Sequence, residues 1–107
     1  MFTRIVDCTV KPEKKEEYTQ RITNEVMPIL QKQPGFVDCI TLTSDTDPER
    51  VVAISFWNTK NDAERYHREN YSRIMSILEP ALQNEPRVHT YNVEQSTAHK
   101  IAAGKAA

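Results

Sequence analysis

Four short segments of the chain are rich in β-branched and aromatic residues, the composition typical of β-strands. They are residues 2–10, 36–43, 50–57 and 87–94. Side chains along a strand alternate between two faces, so one face of the first segment should carry Phe2, Arg4, Val6, Cys8 and Val10. The hydrophilic stretch SDTDPER separates the second and third segments, which favours a hairpin between them.

The segment between the first two predicted strands has apolar residues at helical spacing. They are Tyr18, Ile22, Val26, Ile29 and Leu30. Pro12 suits the first turn of this helix, which should continue to about Lys32. Pro28 should bend the helix because proline lacks a backbone N–H. Gly35, in the sequence QPGF, should supply the turn that follows.

A second helical pattern follows the third strand, with Asn58 or Thr59 as its N-cap. Its apolar positions are Ala63, Tyr66, Tyr71, Ile74, Ile77, Leu78, Ala81 and Leu82. We expect a break in this helix near Asn70 and a bend or an end near Pro80.

The resulting order, βαββαβ, predicts an α+β ferredoxin-like fold with a four-stranded antiparallel sheet and both helices on one face. The expected strand order is 4-1-3-2. The other face would be bare and apolar, with Val6, Ile40, Ile54 and Val93 among its residues. Because such a face is unusual on a monomer, we predict a homodimer with two sheets packed face to face.

Charge and composition exclude several classes of protein. With 14 basic and 15 acidic residues, the chain has no field to attract nucleic acid or an anionic membrane. No apolar run approaches the roughly 20 residues needed to span a bilayer, and the first residues lack the apolar segment of a signal peptide. Cys8 and Cys39 form no Cys-x-x-Cys motif, so we expect buried free thiols in a cytoplasmic protein.

Several kinds of site are also excluded. The two glycines, Gly35 and Gly104, are too few for a phosphate-binding loop or a dinucleotide fingerprint. No pair of histidines has metal-ligand spacing, so we predict no metal site. Asp7 and Asp38 interrupt apolar strands, where a carboxylate is either a base of raised pKa or part of a salt bridge at a strand end.

Two details of this pattern resemble the antibiotic biosynthesis monooxygenase (ABM) family. PGF precedes the second strand, and Trp57 ends the third strand directly before a helix. The resemblance covers residues 1–95, taken as the domain, and leaves residues 96–107 as a tail. It implies the dimeric α+β barrel architecture. Members include cofactor-independent quinol and anthrone monooxygenases and heme-degrading monooxygenases.

Functional positions of the family carry over only in part. Many members have histidines nine and fourteen residues after the tryptophan, where this chain has Tyr66 and Tyr71; His67 lies one residue past the first. The heme ligand of the heme-degrading branch would fall at Ser76. The asparagine expected on the first strand has Ile5 as its closest counterpart. Heme binding is therefore the least favoured function.

The resemblance implies an apolar pocket between the sheet and the second helix that holds a small aromatic ligand without a cofactor. The candidate catalytic residues are His67 and Tyr66, and the candidate substrate-binding residues are Trp57, Asn70, Tyr71 and His89. His67 suits a general base because the ordinary pKa of histidine is near 6.5. The alternative is that the aromatic rings only pack the helix on the sheet and that His67 lies on a solvated helix face.

We therefore expect a cofactor-independent monooxygenase for a quinol- or polyphenol-type substrate. The alternative is a non-catalytic dimer of the same fold that binds a small molecule or serves in a stress response.

Overall fold

The computed structural model describes residues 1–101 and shows one four-stranded antiparallel sheet covered on one face by helices. The strands are β1 (Phe2–Thr9), β2 (Phe36–Thr43), β3 (Arg50–Trp57) and β4 (Arg87–Asn92). Their order across the sheet is β2-β3-β1-β4, which confirms the predicted order read from the other edge. The ferredoxin-like α+β prediction is therefore correct.

The first helical segment is a single rod with an irregular middle. A short 3₁₀ turn, Pro12–Lys14, leads into α1 (Lys15–Arg21), a π-helical turn (Ile22–Val26) and α2 (Met27–Gln31). Met27 N–H donates to the Ile22 carbonyl, one residue further back than in an α-helix. The irregularity predicted at Pro28 is thus placed in the turn just before it.

The second long helix, α3 (Lys60–Leu78), is continuous, so the predicted break near Asn70 is wrong. The Asn70 side chain donates to Gln33 Oε1 at 2.9 Å and does not compete with the backbone bonds of its own helix. The Thr59 hydroxyl caps the helix by accepting the Asp62 N–H at 3.1 Å, as predicted. The helix ends before Pro80, in the 3₁₀ turn Glu79–Ala81.

The core lies between the helices and one face of the sheet. Its members from the strands and α3 include Phe2, Val51, Trp57, Tyr66, Ile74 and Leu78. Val10 follows β1, and the first helical rod adds Tyr18, Ile22, Val26, Ile29 and Leu30. No helix within residues 1–101 is long and apolar enough to cross a membrane.

The opposite, open face of the sheet is formed by the alternate set of strand residues. Ile5, Ile54 and Ile40 lie side by side across three strands of this face. Ile40 and Leu42 are 43% and 47% exposed, so a bare apolar surface is present as expected. Val6, however, faces the helices, where it lines an internal cavity; the neighbouring Ile5 occupies the open face instead.

The segment after β4 turns across the open face. Val93 N–H donates to the Met1 carbonyl at 2.9 Å, beyond the end of β4. Further on, His99 Nε2 lies 3.5 Å from Asp38 Oδ2, and its ring is centred 5.5 Å from that of Phe56. The predicted tail, 96–107, therefore contacts its own sheet through His99. Residues 102–107 lie outside the described part.

Candidate functional site

An arginine in the first strand lies at the centre of the helix-facing side of the sheet. Arg4 is only 4% exposed. Its guanidinium carbon lies 5.2 Å from the ring centroids of both Tyr66 and Tyr71. Its Nη2 is 2.8 Å from Nδ1 of His67. One strand residue thus joins three ring side chains of α3.

The spacing of the three rings along α3 explains why they meet at Arg4. His67 and Tyr71 are one helical turn apart, and their rings stack with centroids 4.6 Å apart. Tyr66, one residue earlier, is about 100° around the helix and points toward the sheet, where it is 4% exposed. The side chain of Arg4 extends from β1 and contacts rings on both of these sides of α3.

Two hollows meet at Arg4. The larger is a groove of about 530 Å³ between the first half of α3 and strands β1 and β4. Its lining residues are Phe2, Arg4, Lys60, Ala63, Glu64, His67, Arg68, Val88 and Thr90. The smaller is an apolar cavity of about 60 Å³ beneath α3, which Arg4, Tyr66 and Tyr71 line together with core residues. Arg4 lines both hollows, with its phenol neighbours on the inner side and His67 on the outer side.

Burial and charge determine the protonation states at this centre. Burial raises the pKa of Tyr66 to about 12, although the charge of Arg4 acts in the opposite direction. Burial raises the pKa of Tyr71 in the same way. Partial burial, and then the charge of Arg4, lower the pKa of His67 from its ordinary value of 6.5. At neutral pH both phenols and the imidazole are therefore neutral, beside a guanidinium that stays charged.

The hydrogen bond to Arg4 also fixes the tautomer of His67. A guanidinium can only donate, so Nδ1 of His67 must be the acceptor in the 2.8 Å contact. The proton of the neutral ring is then on Nε2. In this arrangement the lone pair that could act as a base is occupied by Arg4.

Of the six predicted site residues, the structure brings Tyr66, His67 and Tyr71 together. Trp57 is fully buried and lines neither hollow. Its indole lies between the rings of Phe36 and Tyr66, and its N–H donates to Ser55 Oγ at 2.9 Å. The indole thus packs Tyr66 of α3 against Phe36 of β2, which is the alternative interpretation of this ring.

Asn70 and His89 also lie away from the site. The Asn70 amide is bonded to Gln33 at the far side of α3. His89 pairs with Ile5 on the open face, so the thickness of the sheet separates it from the groove. Neither is placed to bind a ligand in the groove, because each belongs to a different surface of the molecule.

The two candidate carboxylates are likewise on the open face. Asp7 forms a salt bridge of 3.1 Å with Arg50, and Asp38 lies near His99. The salt-bridge interpretation of the strand aspartates is the one that the structure supports. Within residues 1–101, no group of three or more His, Cys, Asp and Glu side chains is arranged to hold a metal ion.

Arg4 is the residue that the sequence prediction missed. The signal was present, since a charged residue alternates with Phe2, Val6 and Cys8 on the apolar face of the first strand. Ile5, the closest counterpart of the family's first-strand asparagine, is on the open face. The strand position that faces the site is occupied by Arg4 instead.

Comparison with known proteins gives a consistent family and fold. The family model described as "Antibiotic biosynthesis monooxygenase" matches residues 1–74. The comparison with curated proteins gives no match.

Solved structures with low sequence identity share the fold. The structure of SnoaB, a cofactor-independent oxygenase from Streptomyces nogalater, is 18% identical and has a TM-score of 0.70; the match covers 92% of this chain and 97% of that one. A conserved protein from Methanosarcina mazei Go1 is 21% identical, with a TM-score of 0.75 and coverage of 88% and 94%. A structure described as an antibiotic biosynthesis monooxygenase has 16% identity, a TM-score of 0.73 and coverage of 89% and 100%.

Proposed function

Because the chain belongs to the antibiotic biosynthesis monooxygenase family, we propose that it is a cofactor-independent monooxygenase that oxygenates a small phenolic or quinol-type aromatic. The substrate binds in the groove between α3 and strands β1 and β4. The observation that carries this proposal is the Arg4–His67 pair at the floor and rim of that groove. The similarity to a cofactor-independent oxygenase of the same fold supports the reaction type.

The sizes of the two hollows favour the groove as the binding place. Its volume of about 530 Å³ lies within the roughly 300–1,000 Å³ of typical ligand sites. The inner cavity of about 60 Å³ is smaller than the roughly 150 Å³ that holds a benzene ring in an engineered cavity. An aromatic ring therefore lies in the groove, against Phe2 and Val88, with Arg4 at its inner end.

The chemistry requires loss of a substrate proton and no external reductant. An electron-rich phenolate can pass one electron to O₂, and the resulting radical and superoxide combine into a carbon-bound peroxide. Loss of water then breaks the O–O bond and leaves a carbonyl on a carbon that carried hydrogen. The substrate supplies both electrons and both hydrogens, so the protein contributes orientation and deprotonation.

His67 is the group that accepts the proton. A substrate hydroxyl placed at Arg4 is within reach of His67 Nδ1, since this nitrogen is 2.8 Å from Arg4 Nη2. When Arg4 donates to the substrate oxygen instead, the Nδ1 lone pair becomes available as a base. The rings of Tyr66 and Tyr71 contact the Arg4 guanidinium on the side of the inner cavity.

One observation favours a second candidate, a binding protein without turnover. In the present arrangement the His67 lone pair is already occupied, so catalysis needs an exchange of hydrogen-bond partners. A protein in which that exchange does not occur would bind the aromatic ligand and leave it unchanged.

Oxygen consumption with a panel of hydroquinones tests the proposal. The wild-type protein is expected to consume O₂ faster than the uncatalysed reaction with at least one member of the panel. His67→Gln is expected to lower kcat/KM by about 100-fold, the lower end of the usual contribution of a general base. The matched control is His89→Gln, a histidine on the open face, and it should keep the wild-type rate.

Two results would overturn the proposal. Wild-type rates equal to the uncatalysed background across the panel would remove oxygenation of these substrates. Ligand binding measured under the same conditions would then support the binding protein. A wild-type rate in His67→Gln would show that this imidazole is not the base.

A further inference from the structure

The buried guanidinium of Arg4 has no acidic partner. Among the described residues 1–101, no carboxylate lies within ion-pair distance of it; the salt bridges of this region involve other cations. The groups around it are the neutral imidazole of His67 and the neutral phenols of Tyr66 and Tyr71. A charge that is removed from water normally has a counter-charge beside it, since burial without one is costly.

The groove side of Arg4 is where a ligand would supply the counter-charge. Arg4 is the one strand residue that lines both the groove and the inner cavity. Its contacts with the two phenol rings are cation–π contacts and leave guanidinium N–H groups for an acceptor in the groove.

The rim of the groove has the same sign of charge. Lys60 and Arg68, on the exposed side of α3, line it together with Arg4, whereas Glu64 is the single carboxylate in the lining. The excess of positive charge attracts anions to the groove and raises their local concentration. The buried Arg4 and the basic residues at the rim therefore both favour a negatively charged ligand.

We propose that Arg4 is the counter-ion for an oxyanion carried by the ligand, so that the groove binds aromatic molecules as anions. The shared chemistry is a ring with a negatively charged oxygen, either a carboxylate or an ionised phenol. The inference rests on the proposed function for the aromatic nature of the ligand. The charge selection rests on Arg4 and the groove alone.

The carboxylate form is tested by calorimetric titration with 2,5-dihydroxybenzoate and its uncharged analogue 2,5-dihydroxybenzamide. The wild-type protein is expected to bind the acid about tenfold tighter or more, because a charge-assisted bond to a guanidinium replaces a neutral one. Arg4→Met keeps a long apolar side chain without the charge and should bind the two compounds alike. Arg73→Met removes an exposed α3 cation outside the groove lining and should keep the wild-type preference.

The phenolate form is tested with 4-nitrophenol, whose visible absorbance appears on ionisation. At a pH below its solution pKa, binding to the wild-type protein is expected to raise the absorbance of the ionised form. Arg4→Met should not produce this change, and Arg73→Met should. A response to the benzoate alone, or to the nitrophenol alone, identifies which oxyanion the site accepts.

Equal wild-type affinity for the acid and the amide, together with no ionisation of nitrophenol, would overturn the inference without any variant. Retention of the preference in Arg4→Met would overturn the assignment to Arg4. These binding results are independent of turnover. A protein that prefers anions but consumes no oxygen would reject the proposed reaction and keep the anion site, whereas turnover without a preference for anions would do the reverse.

Discussion

At the scale of single residues, the protonation of His67 is determined by one neighbour. The Arg4 guanidinium donates to Nδ1 at 2.8 Å, which requires a neutral ring with its proton on Nε2. Partial burial of the ring and the positive charge of Arg4 both lower its pKa, in that order of size. The imidazole is thereby kept neutral at neutral pH, and it can accept a proton once Arg4 donates to another acceptor.

The direction of this pKa shift gives a measurable prediction. In the wild-type protein the pKa of His67 should lie below 6.5, and in Arg4→Met it should rise toward that value because one of the two causes is removed. Because the pKa of His67 is lower in the folded state than in the unfolded state, its contribution to the free energy of unfolding is fully present above the unfolded-state pKa. That contribution is lost as the pH falls through the folded-state pKa. Ring signals in a two-dimensional NMR titration measure the shift.

The assignment in that titration comes from His67→Gln, which removes one signal. His89, on the other face of the sheet, serves as the internal reference in both proteins. An unchanged His67 pKa in Arg4→Met would show that the two side chains are not coupled in solution.

The candidate site residues can be compared with their places in the structure. The family resemblance grouped Tyr66, His67 and Tyr71 as candidates, and in the structure their side chains all contact Arg4. The sequence does not separate a ring that lines a hollow from a ring that fills the core, which is why both interpretations of Trp57 stayed open. Arg4 was overlooked because its burial depends on α3, which is distant in the sequence and covers it only in the folded chain.

At the scale of elements, the junction between β3 and α3 determines how the site rings are presented. Thr59 caps α3, and the Asn58 N–H donates to the Gly35 carbonyl at 2.8 Å, which ties the start of the helix to the turn before β2. Gly35 has a φ of 79°, in the left-handed region that side chains disfavour. A methyl group there would also overlap the side chain of Asp62.

Gly35→Ala is therefore expected to destabilise the protein by about 1–3 kcal/mol, from backbone strain and from overlap with Asp62. Urea unfolding of the single variants and of Gly35→Ala/Asp62→Ala separates the two causes in a double-mutant cycle. The overlap should disappear in the double variant, and the strain should remain. A midpoint for Gly35→Ala equal to that of the wild type would show that the turn relaxes without cost.

The elements themselves were largely predictable. The bounds of β2 and β3 agree with the prediction because turn residues border both strands on each side. The predicted break at Asn70 failed because an asparagine interrupts a helix only when its amide competes for backbone groups, and this one is bonded to Gln33. The π-helical turn before Pro28 has no pattern of its own in the sequence.

At the scale of the whole molecule, the open face of the sheet is the surface most suited to a second subunit. Ile40, Leu42 and Tyr91 are 43%, 47% and 54% exposed there. We propose that two chains pair through this face, since large exposed apolar patches usually mark an interaction surface.

Sedimentation equilibrium tests this pairing. The wild-type protein is expected to be a dimer, and Leu42→Asp a monomer, because pairing would bury an unpaired carboxylate. Gln20→Asp makes a similar addition of charge on the exposed side of α1 and should leave the dimer intact. A monomeric wild-type protein at all concentrations would remove the proposal.

The sequence predicted an apolar open face but placed Val6 on it, whereas the structure places Ile5 there. In a strand, a shift of one residue exchanges the two faces, and both Ile5 and Val6 are apolar. Only contact with the helices distinguishes them, and that contact places Val6 inside.

Arg4 also connects the site with the stability of the entire fold. An apolar residue at this position would fill the same space without removing a charge from water, and such replacements are often neutral or stabilising. Selection for thermal stability alone would thus tend to replace Arg4, as expected at a site where activity and stability have opposite requirements. The protein without a bound ligand should therefore be the less stable form. Binding of an anion in the groove should stabilise the elements that surround the guanidinium.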